Sequence, residues 1–270
     1  MESTRPIRSL MRGLDALTVL NLRDGATVSE LVQDIRLPRT TVYRILETLC
    51  DAGFVYRNST DDRYRLTILV RGLSDGFDDE PWVTQIAKPF IYDLSREIAW
   101  PVAIATLSGT SMLVRETTDH SSPLAVERYS AGFRVPLLTS ATGLAYLAHC
   151  PATQRDSLID VLAHSGKPEH GFARSRVQLL QTLREIHAQG YATANRSRPA
   201  SDDIAISVPV VLEDAALAGL TMRFAAAAMA LPVAVTRFLP KLRACADRIR
   251  ADFSEQQTTV SRTSAATTVS

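Results

Sequence analysis

LPRTTVYRILETLCDAGFV, residues 37–55, is the stretch of sequence that decides the fold of the N-terminal part of the chain. Pro38 suits the first turn of a helix, where one backbone N–H is unpaired in any case, and Gly53 suits the end of that helix. The apolar residues between them recur at helical spacing and predict one buried stripe: Val42, Ile45, Leu46 and Leu49. The opposite, polar face is rich in arginine and threonine, which raises the question of what this face contacts.

The residues on both sides of this helix complete a winged helix-turn-helix pattern. Leucines at positions 10, 14, 17 and 20 predict a first helix over residues 8–22. Thr27 followed by Glu30 forms a capping-box pattern, which predicts the start of a second, short helix. The β-rich runs 54–57 and 63–66 predict a hairpin. We therefore predict a winged helix-turn-helix domain over residues 1–66.

The charge of this region favours DNA as its partner. The whole chain carries a formal net charge of only +1, but residues 36–71 contain seven arginines and four acidic residues. In a helix-turn-helix, the second helix lies in the DNA major groove, where arginine recognises guanine and threonine contacts phosphate or thymine. The predicted contacts with double-stranded DNA are Thr27, Ser29, Arg39, Thr40, Thr41, Tyr43, Arg44, Arg57 and Arg63. The alternatives are that these arginines only solvate a three-helix core, or that the winged helix docks a protein.

Length and composition indicate a two-domain globular protein. The chain has 270 residues, of which 46% are hydrophobic and 22% are charged. Cys50, Cys150 and Cys245 lie far apart and form no C-x-x-C pair, which argues against a disulfide framework and fits a reducing compartment. The longest apolar stretch, residues 225–235, is too short and too proline-broken to span a bilayer. We expect a cytoplasmic protein with no membrane partner.

The remainder of the chain predicts a linker and a second, α+β domain. Residues 67–81 contain glycines, acids and a proline and are interpreted as the linker, and residues 82–253 as the second domain. Within that domain we predict helices at 82–96, 141–149, 153–164, 174–189 and 233–253, and strands at 102–107, 111–117, 124–129, 204–212 and 217–224. This order favours a mainly antiparallel sheet. The tail, residues 254–270, lacks apolar periodicity and is expected to be disordered.

Three segments resemble the IclR family of bacterial transcriptional regulators. They are RGLDALTVLNLRDGATVSELVQDIRLPRTTVYRILETLCDAGFVYR (12–57), GFRVPLLTSATGLAYLA (132–148) and GYATANRSRPASDDIAISVPVVLEDAALAGLTM (190–222). The resemblance covers residues 8–253 and implies a C-terminal GAF-like domain that binds a small organic acid, in a protein that acts as a dimer or tetramer. YRLTILVRGLSDGFDDEPWV (64–83) and WPVAIATLSGTSMLVRETT (100–118) look most like regulators of 3-(3-hydroxyphenyl)propionate catabolism. That likeness implies an activator that senses hydroxylated aryl acids.

The resemblance also implies an effector site in the second domain. Thr139, Ser140 and Thr142 precede or open a predicted helix, whose free N–H groups and dipole favour an anion. We predict that an aromatic carboxylate places its charge there and its ring against Ile206 and Leu220. The full set of predicted effector contacts is Thr139, Ser140, Ala141, Thr142, Asn195, Ile206, Ser207, Leu220, Thr221 and Arg223. The alternatives are that residues 139–142 only cap the helix and that Arg223 faces outward.

The sequence gives little support for an enzyme or a metal site. The five histidines form no H-x-x-x-H motif, and the sequence contains no G-x-G-x-x-G or P-loop motif. Its one G-x-S-x-G match, GLSDG at 72–76, falls in the predicted linker and not between a predicted strand and a helix, where a nucleophile elbow is found. We therefore expect no catalytic residues, no metal and no cofactor, and we place Asp119 and His120 in a surface loop. The leading hypothesis is a ligand-responsive regulator of a catabolic operon. The alternatives are a repressor that responds to a different metabolite and a hydrolase-like enzyme with an accessory winged helix.

Overall fold

The computed structural model describes residues 7–23, 25–73, 82–125, 127–196, 202–213 and 215–267. Side chains are described for these residues except 71, 72 and 256–267. The chain forms two compact units that divide between Asp78 and Asp79. Most of the predicted linker, residues 74–81, lies outside the described residues. Residues 197–201, which come shortly after the predicted effector contact Asn195, do so as well.

The N-terminal unit has the predicted order of helices and strands. It contains α1 (Arg8–Leu22), α2 (Val28–Ile35), α3 (Arg39–Asp51), β1 (Val55–Arg57), β2 (Tyr64–Leu66) and the short α4 (Ile68–Gly72). The two strands pair antiparallel, with Tyr56 opposite Arg65, and form the wing. This arrangement confirms the winged helix-turn-helix fold.

Local sequence signals explain where these helices begin and end. Thr27 and Glu30 form the predicted capping box at the start of α2, and Arg36 ends that helix in the left-handed conformation, with φ of 51°. The buried stripe of α3 is confirmed for Val42 and Leu46, whereas Ile45 and Leu49 are only half-buried. The unit closes around a small core of buried residues: Leu20, Ala26, Val28, Leu31, Val42, Leu46, Val55 and Tyr64.

The C-terminal unit is built on one six-stranded antiparallel sheet with the strand order β5-β4-β3-β8-β7-β6. The strands are β3 (Val102–Ser108), β4 (Ser111–Thr117), β5 (Arg134–Pro136), β6 (Ala192–Arg196), β7 (Asp203–Leu212) and β8 (Ala215–Ala225). The α-helices are α5 (Lys88–Ile98), α6 (Ala141–His149), α7 (Ala152–Ala163), α8 (Arg176–Gln189) and α9 (Leu231–Thr267). A π-helical turn, Val83–Ala87, leads into α5, and a 3₁₀ turn, Pro168–Arg174, precedes α8. The α+β, GAF-like fold class is confirmed.

The two faces of the sheet pack against different helices. Ile206, Leu220 and Phe224 belong to the core that the sheet shares with α5 and α9. Met112 and Val114 belong to the core on the other side, which α6 and α8 complete. Successive residues of a strand point to opposite faces of the sheet. Neighbouring side chains of β7 or β8 therefore point toward different cores.

Three predictions about elements of the C-terminal part are corrected. Residues 124, 125 and 127–129 form turns and loop instead of a strand, and the backbone N–H of Tyr129 donates to Asp119 instead of to a neighbouring strand. Strand β6 was not predicted, because its sequence ATANR is short and poor in β-formers. The last helix continues to Thr267, where the sequence predicted a disordered tail from Ser254. The tail contains neither glycine nor proline that would end the helix.

Candidate functional site

The C-terminal unit contains a cavity of about 340 Å³ between the sheet, the start of α6 and the segment that joins β4 to β5. Seven of the ten predicted effector residues line it: Thr139, Ser140, Ala141, Thr142, Asn195, Thr221 and Arg223. The structure therefore brings these seven residues together around one cavity. The other three, Ile206, Ser207 and Leu220, do not line this cavity.

The start of α6 presents backbone donors to the cavity. Ser140 is the N-cap, and its Oγ accepts a hydrogen bond from the N–H of Gly143 at 3.0 Å and donates one to the carbonyl of Pro136 at 2.6 Å. The Ser140 hydroxyl proton is thus already used. The N–H groups of Ala141 and Thr142 find no acceptor among the described residues, and both residues line the cavity. Two free donors at the positive end of a helix dipole favour an anion.

Two glycines allow α6 to start so close to its neighbours. A Cβ atom on Gly219 of β8 would lie 2.7 Å from Cγ2 of Thr142, and one on Gly143 would lie 2.2 Å from the carbonyl oxygen of Leu137. Both distances are shorter than van der Waals contact. The helix start therefore lies against β8 and the preceding loop because neither glycine has a side chain.

Three hydroxyl groups connect the start of α6 to the sheet. Thr142 Oγ1 lies 2.7 Å from Thr221 Oγ1, and Thr221 donates to Ser207 Oγ at 2.9 Å. Ser207 in turn donates to the carbonyl of Leu220 at 3.2 Å. Each hydroxyl has one proton, so Thr142 must donate to Thr221 in this arrangement. Ser207, fully buried, acts behind the cavity wall and supports Thr221.

A buried cluster of charges forms the other side of the cavity. Arg223 donates to Asp119 Oδ2 at 2.6 Å, and its Nη1 lies 3.5 Å from Asp203 Oδ2. The guanidinium group also lies over the ring of Tyr129, 4.1 Å from its centroid. Arg223 therefore faces inward, and two carboxylates already balance its charge.

Asp119 is a cavity residue that the sequence did not predict. It was predicted to lie in a surface loop, but it is 1% exposed and lines the cavity, whereas its neighbour His120 is exposed as expected. Its Oδ2 accepts hydrogen bonds from the N–H of Tyr129 and from Arg223. Those partners lie 10 and 104 residues from Asp119 along the chain, so no pattern of neighbouring residues could have predicted these contacts.

Tyr129 holds the segment over the cavity through its hydroxyl group. It donates to Glu127 Oε2 at 2.8 Å and accepts from Arg196 Nη1 at 2.8 Å. Burial, followed by the hydrogen bond to Glu127, raises the pKa of Tyr129 above its usual value. The phenol therefore stays neutral at physiological pH and cannot itself supply a negative charge to the site.

The apolar wall of the cavity differs from the predicted one. Ile206 and Leu220 are buried in the core on the opposite face of the sheet. The apolar lining comes instead from small residues on β3 and β7 and from larger ones around β5: Ala103, Ala105, Val114, Phe133, Val135 and Ala205. The alanines leave the space, and Phe133 and Val135 offer surface for a planar ring. On β7, the residue that lines the cavity is therefore Ala205 and not the predicted Ile206.

In the N-terminal unit, α3 presents the predicted recognition face. Arg39, Thr40 and Arg44 are exposed, and Thr41 and Tyr43 are half-exposed. Arg39 donates to Ser29 Oγ at 3.2 Å and to Tyr43 Oη at 3.4 Å, so it links the starts of α2 and α3. Neither Arg39 nor Arg44 forms an ion pair with a described residue.

The arginines of the wing, by contrast, already have acidic partners. Arg63 reaches both oxygens of Glu30, with two contacts of 3.0 Å, and Arg57 pairs with Asp62. Thr27 has its hydroxyl and its N–H engaged in the capping box with Glu30. Among the predicted DNA contacts, Arg39 and Arg44 of α3 are therefore more available to DNA than the arginines of the wing.

Within the described part of the chain, no helix is long and apolar enough to cross a membrane. The same residues contain no group of three histidine, cysteine, aspartate or glutamate side chains placed to hold a metal ion.

Comparisons with known proteins agree on one family. Residues 9–59 match the IclR helix-turn-helix domain, and residues 80–251 match the bacterial transcriptional regulator IclR C-terminal domain. The probable transcriptional regulator SauR of Cupriavidus necator is 27% identical over 250 residues, which cover 91% of this chain and 96% of that protein.

Solved structures show the same fold. The IclR protein of Thermotoga maritima is 19% identical, with a TM-score of 0.61 over 92% of this chain and 99% of that one. An IclR homologue of Microbacterium hydrocarbonoxydans, crystallised with 4-hydroxybenzoate, is 21% identical, with a TM-score of 0.57 over the same shares. The two matched domains together cover most of the sequence. The chain therefore belongs to the IclR family of bacterial transcriptional regulators.

Proposed function

We propose that this regulator controls a catabolic operon for an aromatic acid, that it acts as an activator, and that the acid binds in the cavity of the C-terminal unit. One observation carries the proposal. Two free N–H groups at the start of α6 and an apolar wall line the same cavity, which suits a molecule with a carboxylate at one end and a ring at the other.

The effector carboxylate accepts hydrogen bonds from the N–H groups of Ala141 and Thr142. The hydroxyl groups of Thr142, Thr221 and Ser207 can all reverse direction, after which Thr142 donates to the carboxylate and only the contact with the Leu220 carbonyl is lost. The ring then lies on the wall formed by Phe133, Val135 and the alanines of β3 and β7. The crystallised complex of a family member with 4-hydroxybenzoate supports this class of ligand.

Effector binding and DNA binding are coupled through a difference between the states with and without effector. Binding changes DNA affinity only if the effector favours one of these states. As an activator, the protein is expected to raise transcription of its operon when the acid is present. A reporter fusion decides the sign, because a repressor releases expression when its gene is deleted and an activator does not.

Calorimetry with benzoate-type and phenylpropionate-type acids tests the effector site. We expect the acids to bind and the corresponding neutral amides to bind at least tenfold more weakly, because the amide lacks the charge that the helix start stabilises. Thr142→Val is expected to weaken acid binding, whereas Thr193→Val, the same change on β6 outside the cavity, leaves it unaltered. Amides that bind as tightly as acids would show that the anion site is wrongly placed.

The DNA contacts are proposed on the exposed face of α3 with support from Ser29 and the wing. A single winged helix makes a small interface, so a specific operator requires two half-sites and a symmetric dimer or tetramer. A gel shift with the upstream promoter region tests this and separates the regulator from an enzyme with an accessory winged helix. The shift is expected to weaken steeply with salt, because phosphate contacts release counterions.

A further inference from the structure

We propose that Asp119 selects hydroxylated acids, because its Oδ1 atom accepts a hydrogen bond from a hydroxyl group on the ring of the effector. This inference rests on the proposed function of the cavity and adds the chemical feature that distinguishes the effector from other aromatic acids. It assigns a specificity role to a residue outside the start of α6.

The carboxylate of Asp119 is only half used by the protein. Oδ2 accepts hydrogen bonds of 2.6 Å from the N–H of Tyr129 and from Arg223. Oδ1 is buried and has no hydrogen-bond partner among the described residues. The residue is 1% exposed, so bulk water does not provide the missing donor. A buried acceptor without a donor is costly, and such atoms in native proteins are rare.

The position of Asp119 connects this unused oxygen with the ligand. Asp119 lines the same cavity as the start of α6, and the ring of Tyr129 and the small residue Ala103 line it as well. A molecule that occupies the cavity therefore contacts Asp119, the residue whose Oδ1 lacks a donor. Arg223 cannot reorient freely to provide it, because Asp119 Oδ2, Asp203 and the carbonyl of Glu127 already hold its guanidinium group.

The charges of the cavity decide which donor fits. Asp119 and Asp203 balance Arg223 and Arg196 among the lining residues, so the free N–H groups of α6 remain the anion site. A second carboxylate at Asp119 is repelled, whereas a hydroxyl group donates a hydrogen bond without adding charge. Hydrogen bonds to charged groups are about twice as strong as neutral ones, which makes a phenolic hydroxyl a useful discriminator.

Asp119→Asn provides a test that keeps the size of the side chain. Since Tyr129 and Arg223 are both donors, the amide oxygen must take the place of Oδ2, and the amide NH₂ group takes the place of Oδ1. The position then offers a donor instead of an acceptor. Asp203→Asn is the matched control, because it removes the other carboxylate beside Arg223 but leaves Asp119 unchanged.

The measurement is calorimetric titration of the full-length protein with the three monohydroxybenzoates, 3-(3-hydroxyphenyl)propionate, and the matched acids that carry hydrogen or fluorine in place of the hydroxyl. For the native protein we expect at least one hydroxylated acid to bind roughly tenfold or more tightly than its two matched acids. In Asp119→Asn this ratio is expected to fall to near one. In Asp203→Asn the ratio is expected to persist, even if both affinities change. Melting curves with and without ligand verify that each variant is folded.

Two outcomes would overturn the inference, and they can be told apart. If hydroxylated and matched acids bind the native protein equally, or if Asp119→Asn keeps the ratio, Asp119 does not select the hydroxyl group, but the proposed sensing of acids stands. If none of the acids binds the native protein, the proposed effector class is wrong and the inference fails with it.

Discussion

Arg44 and Arg63 show how two arginines of one small unit can differ in function. Arg44 is exposed on α3 and forms no ion pair with a described residue. Arg63 is held by both oxygens of Glu30, with its side chain only 30% exposed. The same side chain is thus available to DNA in one position and supports the junction of the wing with α2 in the other.

We predict that Arg44→Ala weakens binding to the specific operator by about 1–3 kcal/mol and relaxes the preference at one base position. The measurement is a titration of labelled operator variants by fluorescence anisotropy. Arg63→Ala serves as the comparison, because it should lower the stability of the N-terminal unit. A folded Arg44→Ala protein with native operator affinity would refute the assignment of Arg44 to the groove.

Gly219 allows the start of α6 to lie against β8. We predict that Gly219→Ala destabilises the C-terminal unit by about 1–3 kcal/mol, because the new methyl group lies 2.7 Å from Thr142 Cγ2 and must displace the helix start. Acid binding should weaken as well, since the N–H groups of Ala141 and Thr142 move with it. Gly166→Ala is the control, because no atom lies within 4 Å of the added Cβ. Unchanged acid affinity in Gly219→Ala would separate the helix position from the ligand site.

At the scale of elements, the carboxylate of Glu30 makes several interactions at the start of α2. Glu30 accepts a hydrogen bond from the N–H of Thr27 at 2.7 Å and pairs with Arg63. The hydrogen bond from Thr27 is the main cause that lowers the pKa of Glu30 below its ordinary value of 4.5, and Arg63 and Arg23 act in the same direction. The charged carboxylate of Glu30 therefore joins the start of α2, at Thr27, to Arg63 of the wing.

This lowered pKa predicts an acid-sensitive N-terminal unit. A carboxylate whose pKa is lower in the folded state stabilises that state above its unfolded pKa, and the stabilisation is lost as pH falls through the folded pKa. We expect amide hydrogen exchange in residues 25–36 to accelerate when the pH is lowered below about 4.5, after correction for intrinsic rates. Glu30→Gln should exchange faster at neutral pH and lose this dependence. An identical pH profile in both proteins would contradict the role of Glu30.

The sequence predicted elements better than it predicted the faces of the strands. The bounds of α1 and the capping box at Thr27 follow from residues a few positions apart, and the structure confirms both. The side on which Ile206 lies depends on the pairing of β7 with β8, where Ile206 is opposite Met222. A shift of one residue in a strand changes the face. The predicted contacts therefore share the start of α6 with the cavity, but they do not include its lining residues Ala205 and Asp119.

At the scale of the whole molecule, the exposed leucines of α1 are candidates for contact between copies. Leu10 is 60% exposed and Leu14 is 53% exposed, so both are available for contact with a second copy. Trp82, at the start of the predicted helix 82–96, is instead buried and packs edge-on against Phe253 of its own unit, with ring centroids 5.7 Å apart. Packing within the unit accounts for Trp82, and we place the proposed dimer contact on α1.

We predict that the native protein sediments as a dimer or tetramer and that Leu14→Glu shifts it to smaller species, because a charge at an apolar contact is unfavourable. Val177→Glu is the control, since it places the same charge at an apolar residue that is 84% exposed on α8. Operator binding by Leu14→Glu should lose its dependence on two half-sites. A monomeric native protein at working concentration, with and without DNA, would refute the prediction.

The unsatisfied oxygen of Asp119 also bears on how long the protein survives in the cell. Without effector, Asp119 Oδ1 has no donor among the described residues, and a buried acceptor that lacks a donor lowers the stability of the folded state. A ligand that binds only the folded state raises that stability by RT ln(1 + c/Kd), where c is the free ligand concentration, and this increases with the logarithm of c once c exceeds the dissociation constant Kd. Intracellular proteases remove proteins largely through their unfolded fraction. The effector is therefore expected to set the amount of regulator as well as its state, so that cells without the acid carry fewer copies.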